Sequence, residues 1–180
     1  MAILKDSILF NHVSGSLGDE ITIYRRNNQV IVAKKRRRST QKPTKKQLAA
    51  RKRMEMAAAI ARELIADPEL KAYYKSKAGP GQNAFNMALQ DAYHSPEIQH
   101  IKVEESTVVV TAKNQFRVAE VEVRVLDAAG VILEKGKAAL GRNGVDWYYQ
   151  FENLEEADRI VVVAVDIPGN ETIKDLLLGG

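Results

Sequence analysis

The chain has 180 residues, 45% hydrophobic and 28% charged, with no cysteine and a net charge of +4. These values are ordinary for a globular protein of one or two domains, and they exclude disulfides and thiolate metal sites. The opening residues, interrupted by Lys5 and Asp6, do not form a signal peptide, and no apolar run approaches the roughly 18 residues of a membrane span, so the expected location is the cytoplasm or a particle assembled there.

The net charge hides an asymmetry. Residues 1–94 hold 18 Lys/Arg and 8 Asp/Glu, whereas residues 95–180 hold 9 and 15. A chain so divided predicts two functions, one of them facing an anion.

In chain order, a short strand is expected around Ile8 to Val13, and Ser14–Asp19 reads as a turn. Glu20–Arg25 alternates and Gln29–Lys34 is β-branched. Between them Asn27-Asn28 suits the left-handed conformation of a two-residue hairpin turn. A basic connector, Lys34–Lys42, ends at Pro43. Thr44 with Gln47 then forms a capping box that opens a helix from about Lys45 to Ala66. Met54, Ala57, Ala61 and Leu64 fall on one stripe of that helix. Asp67-Pro68-Glu69 restarts a second helix, ending before Gly79-Pro80-Gly81. A third runs from about Ala84 to Tyr93.

After Pro96 the period changes. Val118–Val125 alternates strictly, which predicts a half-buried antiparallel strand carrying Ala119, Val121, Val123 and Val125 on one face. Further strand-like runs lie at Ile98–Val103, Thr107–Ala112, Val131–Glu134, Val145–Phe151, Arg159–Asp166 and Thr172–Leu177. Seven such strands predict a β-sandwich of immunoglobulin or fibronectin type III kind, with Trp147 packed between its sheets. The expected class is therefore α+β: a basic hairpin-and-helix region over 1–95 and an antiparallel β-sandwich over 96–180.

The segment from Arg25 to Arg53 carries the functional signal. Its 29 residues include 13 Lys/Arg and no Asp/Glu: Arg25, Arg26, Lys34, Lys35, Arg36, Arg37, Arg38, Lys42, Lys45, Lys46, Arg51, Lys52 and Arg53. A phosphate backbone rewards this composition, because each neutralised phosphate releases counterions. Cations near a helix N-terminus oppose the macrodipole, so a purely structural helix would place acids there. The bland alternative is a solvated face or connector. Only one aromatic, Tyr24, adjoins the segment, which points to backbone contacts with little base readout. Lys34–Arg38 also matches a nuclear-localisation pattern of low specificity.

Other motifs fall away. Gly15-Ser16-Leu17-Gly18 lacks the Lys-Ser/Thr of a phosphate loop, and Ser39-Thr40-Gln41-Lys42 lacks the companion motifs of acyl-transfer enzymes. His12, His94 and His100 show no metal-ligand spacing. Asn170-Glu171-Thr172 fits a glycosylation acceptor but follows no secretion signal. No carboxylate of the C-terminal half sits on an apolar background suited to acid–base work. The sequence thus predicts no enzyme, no cofactor, no metal and no small-molecule substrate.

Ser14-Gly15-Ser16-Leu17-Gly18, a hairpin ending in basic residues, and Pro43-Thr44-Lys45-Lys46-Gln47-Leu48-Ala49-Ala50-Arg51 together resemble a group of uncharacterised bacterial proteins, mostly from Bacteroidota. Their shared pattern is Ser-Gly-x-x-Gly, a hairpin, and Pro/Arg-Thr-x-x-Gln-x-x-x-Arg opening a helix. Some carry a C-terminal immunoglobulin-like domain, and similar patterns occur in phage-related proteins. The match covers about residues 8–60. The resemblance implies a bacterial or phage setting and a structural role, with no activity to carry over.

The expected function is a non-enzymatic binding or scaffold protein whose basic segment contacts nucleic acid or another polyanion, with the sandwich domain making protein contacts. The alternative is a structural subunit of a phage-like particle or filament. Its basic segment would dock on an acidic neighbouring protein surface, including that of another copy in a homo-oligomer.

Overall fold

The computed structural model describes residues 2–4, 13–36, 40–152 and 156–178. Twelve strands and three helices follow one another along these residues. The first four strands are β1 (Ala2–Leu4), β2 (Gly15–Leu17), β3 (Ile21–Arg26) and β4 (Gln29–Lys34), paired antiparallel in the order β1-β4-β3-β2. Asn27 and Asn28 link β3 to β4 with φ of 50° and 60°. Both residues thus take the left-handed conformation of a two-residue turn whose twist matches the flanking strands. The strand expected at Ile8–Val13 lies, apart from Val13, outside the described residues.

The helices are α1 (Lys45–Leu64), α2 (Pro68–Ser76) and α3 (Ala84–Tyr93). Local chemistry sets each start. The Thr44 hydroxyl accepts from the Gln47 amide, and the Gln47 side chain accepts from the Thr44 amide. Asp67 caps α2 through the amides of Glu69 and Leu70, with Pro68 in the first turn. Asn83 caps α3. The helices pack on one another through small residues. Ala61, Ala84 and Ala88 are buried with Tyr74 and Met87, so the helix backbones approach closely. Of the stripe expected on α1, Ala57 and Ala61 are buried, but Met54 is exposed.

The remaining strands are β5 (Glu97–Glu104), β6 (Thr107–Lys113), β7 (Val118–Leu126), β8 (Ile132–Lys137), β9 (Ala139–Leu140), β10 (Asp146–Gln150), β11 (Arg159–Asp166) and β12 (Glu171–Leu177). They form two antiparallel sheets, β5-β6-β10-β9 and β12-β11-β7-β8. The inner faces share one core that includes Val108, Val110, Val121, Val123, Trp147 and Ile160. Val121, Val123 and Val125 alternate inward along β7 as the pattern predicts, whereas Ala119 is exposed. Along one side, Thr172 donates to the Pro96 carbonyl at 2.6 Å and Lys174 reaches the carbonyls of Ile98 and Gln99, tying β12 to β5.

The architecture corrects the expected α+β class of a single hairpin, a helical segment and one sandwich. The described residues are predominantly antiparallel β, with three four-stranded sheets and three helices. The physical reason lies in short strands. Pairs such as Leu17 with Ile21 and Ala2 with Val32 turn the hairpin into the centre of a sheet, yet three-residue strands are too short to show a period. Gly15-Ser16-Leu17, read as part of a turn, is instead edge strand β2.

Candidate polyanion interface

The structure divides the basic segment into separate groups. Arg25 and Arg26 end β3 beside the Asn27-Asn28 turn, while Lys34, Lys35 and Arg36 lie at the other end of the same hairpin. The register pairs Arg26 with Gln29 and Ile21 with Lys34. At about 3.4 Å per residue, the two groups stand roughly 17 Å apart. Asn27 packs against Gly81 in the loop before α3, a position with φ of +77° where a Cβ would collide with the Asn27 side chain. Arg37 and Arg38 lie outside the described residues.

A third group occupies the start of α1. Residues 45–56 are exposed throughout, and the helix is buried only from Ala57 onward. These twelve residues extend about 18 Å at 1.5 Å per residue. Lys45, Lys46, Arg51 and Lys52 stand in solvent on this segment, with Lys42 exposed just before it. No acid occupies the first turn. Each cation close to the free amides of a helix start costs on the order of 0.3–1 kcal/mol. Arg62, in the last turn, is the basic residue that favours the dipole.

Two of the predicted cations have structural partners. The Lys35 ammonium lies 3.1 Å from the Asp19 carboxylate and donates to the Gly18 carbonyl, closing the β2–β3 turn onto the end of β4. The Arg53 guanidinium donates through Nη2 to the Tyr93 carbonyl at 2.6 Å and sits 4.3 Å over the Tyr93 ring. It thereby satisfies a terminal carbonyl of α3 and pins α1 to α3. Lys35 is the only one of these basic residues in an ion pair among the described residues.

A buried polar network, absent from the sequence reading, joins the helices to the sheets. Asp91 of α3 and Asp166 at the end of β11 are 0% and 2% exposed. The Tyr74 hydroxyl donates to Asp91 at 2.7 Å. The Asn114 amide donates to both carboxylates at 3.3 Å. The Asn170 side chain donates to Asp166 at 3.0 Å and reaches the carbonyls of Asp91 and Ala92. Burial pushes the Asp91 carboxyl up from its ordinary 3.8 to about 6, against the lowering effect of the Tyr74 hydrogen bond. Burial also raises Asp166, opposed by hydrogen bonds from Asn170, Gly169 and Asn114. Asp166 therefore corrects the expectation that no carboxylate of the C-terminal half lies on an apolar background: it ends a strand whose residues Ile160, Val162, Val163 and Ala164 are all buried. That run, and Asp91 among Met87, Ala88 and Ala92, were the signals available in the sequence. Through these hydrogen bonds the pair joins the helices to the sheets.

Tyr149 is a smaller case. Its hydroxyl donates to Glu134 at 2.7 Å, and burial with this bond pushes its pKa to about 12. Among the described residues no group of three or more His, Asp or Glu is placed to hold a metal ion, and no helix is long and apolar enough to cross a membrane.

No protein family matches the chain, and no curated protein does. Among solved structures, a superoxide reductase from Giardia intestinalis is similar over 46% of this chain and 95% of its own, at 13% identity and a TM-score of 0.34. A crystallised engineered protein is similar over 56% of this chain and 30% of its own, with the same identity and score. Likeness at that level carries no argument about what this chain does.

Proposed function

We propose that the protein is a non-enzymatic binding or scaffold protein whose basic surface contacts nucleic acid. The observation that carries this reading is the exposed start of α1, where four solvated cations project and two of them, Lys45 and Lys46, stand in the first turn at the unfavourable end of the helix dipole. A stability role would be better served by acids there, so the charge is explained by a partner. Arg36 and Lys42 lie along the chain leading into this helix. Arg25 and Arg26 offer a second contact point at the far end of the hairpin.

The test is anisotropy of a labelled 20-base-pair duplex against salt. Log affinity falls with log salt with a slope of about −0.9 per phosphate contacted. The variant Lys45→Glu/Lys46→Glu/Lys52→Glu loses most of the binding and about three contacts of slope. Its helix start now complements the dipole, so the same variant unfolds no more easily than the wild type. Unchanged affinity in a folded variant rejects the reading.

A second reading has its own support. Glu104, Glu105, Glu152, Glu156 and Asp158 all lie at the end of the paired sheets opposite the helices, set there by the turn after β5 and the segment between β10 and β11. An acidic end and a basic end on one chain suit head-to-tail association of copies, as in a particle or filament subunit. Mass measurement by light scattering at low and high salt separates the two. A monomer at low salt and high concentration rules out the subunit reading.

A further inference from the structure

We infer that the groove between α1 and the C-terminal end of α3 takes an unstacked nucleobase, so that the preferred nucleic acid is single-stranded. This rests on the nucleic-acid reading above and names its substrate class. The groove has a volume of about 380 Å3 and runs beside the exposed basic turns of α1. Lys52, Arg53, Met56 and Ile60 line one wall, and Tyr93 and Ser95 the other. Lys52 lies seven residues after Lys45, two turns along the same helix face, so a phosphate chain following those cations passes the groove mouth.

The lining combines the parts that single-strand binding needs: a cation, an aromatic ring and an apolar wall beside a phosphate track. Met56 is 59% exposed although it borders a formed groove. Its thioether is a soft, adaptable surface for a flat aromatic ring. The Arg53 guanidinium is already fixed, 4.3 Å over the Tyr93 ring and bonded to the Tyr93 carbonyl, so a planar cation stands there at no further ordering cost. Two polar residues of the lining, Ser95 and Asn170, are suited to a base edge. Ser95 is exposed, and Asn170 spends its amide nitrogen on Asp166 and two carbonyls while its Oδ1 has no hydrogen-bond partner among the described residues. A stacked duplex buries its base faces and offers only phosphates to this surface, so the groove adds affinity for single strands alone.

The experiment compares labelled dT20 with a 20-base-pair duplex by anisotropy at one fixed salt concentration, using the full chain, Tyr93→Leu and Met56→Gln. The wild type is expected to bind dT20 at least tenfold more tightly than the duplex. Each variant is expected to lose most of that preference while its duplex affinity and salt slope stay unchanged. Photocrosslinking to dT20 carrying 4-thiothymidine is expected to label Met56 or Tyr93, and it uses the unmodified protein should Tyr93→Leu fail to fold. Equal wild-type affinity for the two probes, an equal loss on both in the variants, or crosslinks elsewhere would overturn the inference and leave the nucleic-acid reading standing. Absence of binding to either probe at low salt would overturn both.

Discussion

Replacing the buried Asp91 by asparagine keeps the shape of its side chain and deletes its ionisation. In the folded protein burial raises this carboxyl from 3.8 to about 6, so the folded state holds a proton over a pH range where the unfolded chain has released it. The stability that comes from the uncharged acid is complete below about pH 4 and is lost as the pH rises through about 6. A rise of that size corresponds to roughly 3 kcal/mol. Wild-type protein therefore loses up to roughly that much from this one group between pH 4 and pH 7, and Asp91→Asn does not. Urea unfolding at several pH values, followed by the fluorescence of the single tryptophan, Trp147, measures it. With a denaturant slope of about 2 kcal/mol/M, the wild-type midpoint moves about 1.5 M relative to the variant across this window. Asp166 stays raised by its own burial in both proteins, and titrations common to both cancel in the comparison. Parallel wild-type and variant profiles would refute the assignment of a desolvated, proton-binding carboxyl at this joint.

Two further perturbations probe the frame that carries the surface. Ile160 is fully buried in the core shared by the two large sheets, and Ile160→Ala should cost about 2–5 kcal/mol, read from the urea midpoint. Asn27→Val places a β-branched residue at φ of 50°, which should cost about 1–2 kcal/mol and loosen the hairpin, read as faster amide exchange in β3 and β4.

The pH effect and the groove share one piece of structure. Asn170 donates to Asp166 and to the carbonyls of Asp91 and Ala92, and it also lines the groove between α1 and α3. The joint that fixes the helices on the sheets thus also contributes a residue to the groove's lining. Arg53 serves in the same way, because the bond to Tyr93 that fastens α1 also shapes the wall.

Much of the local structure was written in the sequence. The capping box of Thr44 and Gln47, the Asp67-Pro68 restart, the left-handed Asn27-Asn28 turn and the inward Val121, Val123 and Val125 all depend on neighbours within a few residues, where propensity and period act. The density of cations from Arg25 to Arg53 was equally plain. The tertiary structure decided what these parts become. It placed β1 and β2 beside the hairpin, divided the cations into groups, paired Lys35 with Asp19, and stacked Arg53 on Tyr93 forty residues away. It also buried Asp91 and Asp166 together, joined through Asn114 and Asn170. The Lys35–Asp19 pair, the Arg53–Tyr93 contact and the bonds that Asn114 and Asn170 make to Asp91 span 16 to 79 residues of chain. Distance in sequence is the physical reason for the difference: a cap or an alternating strand is fixed by the chain's own geometry, whereas a desolvated carboxylate or a groove exists only where remote segments exclude water between them.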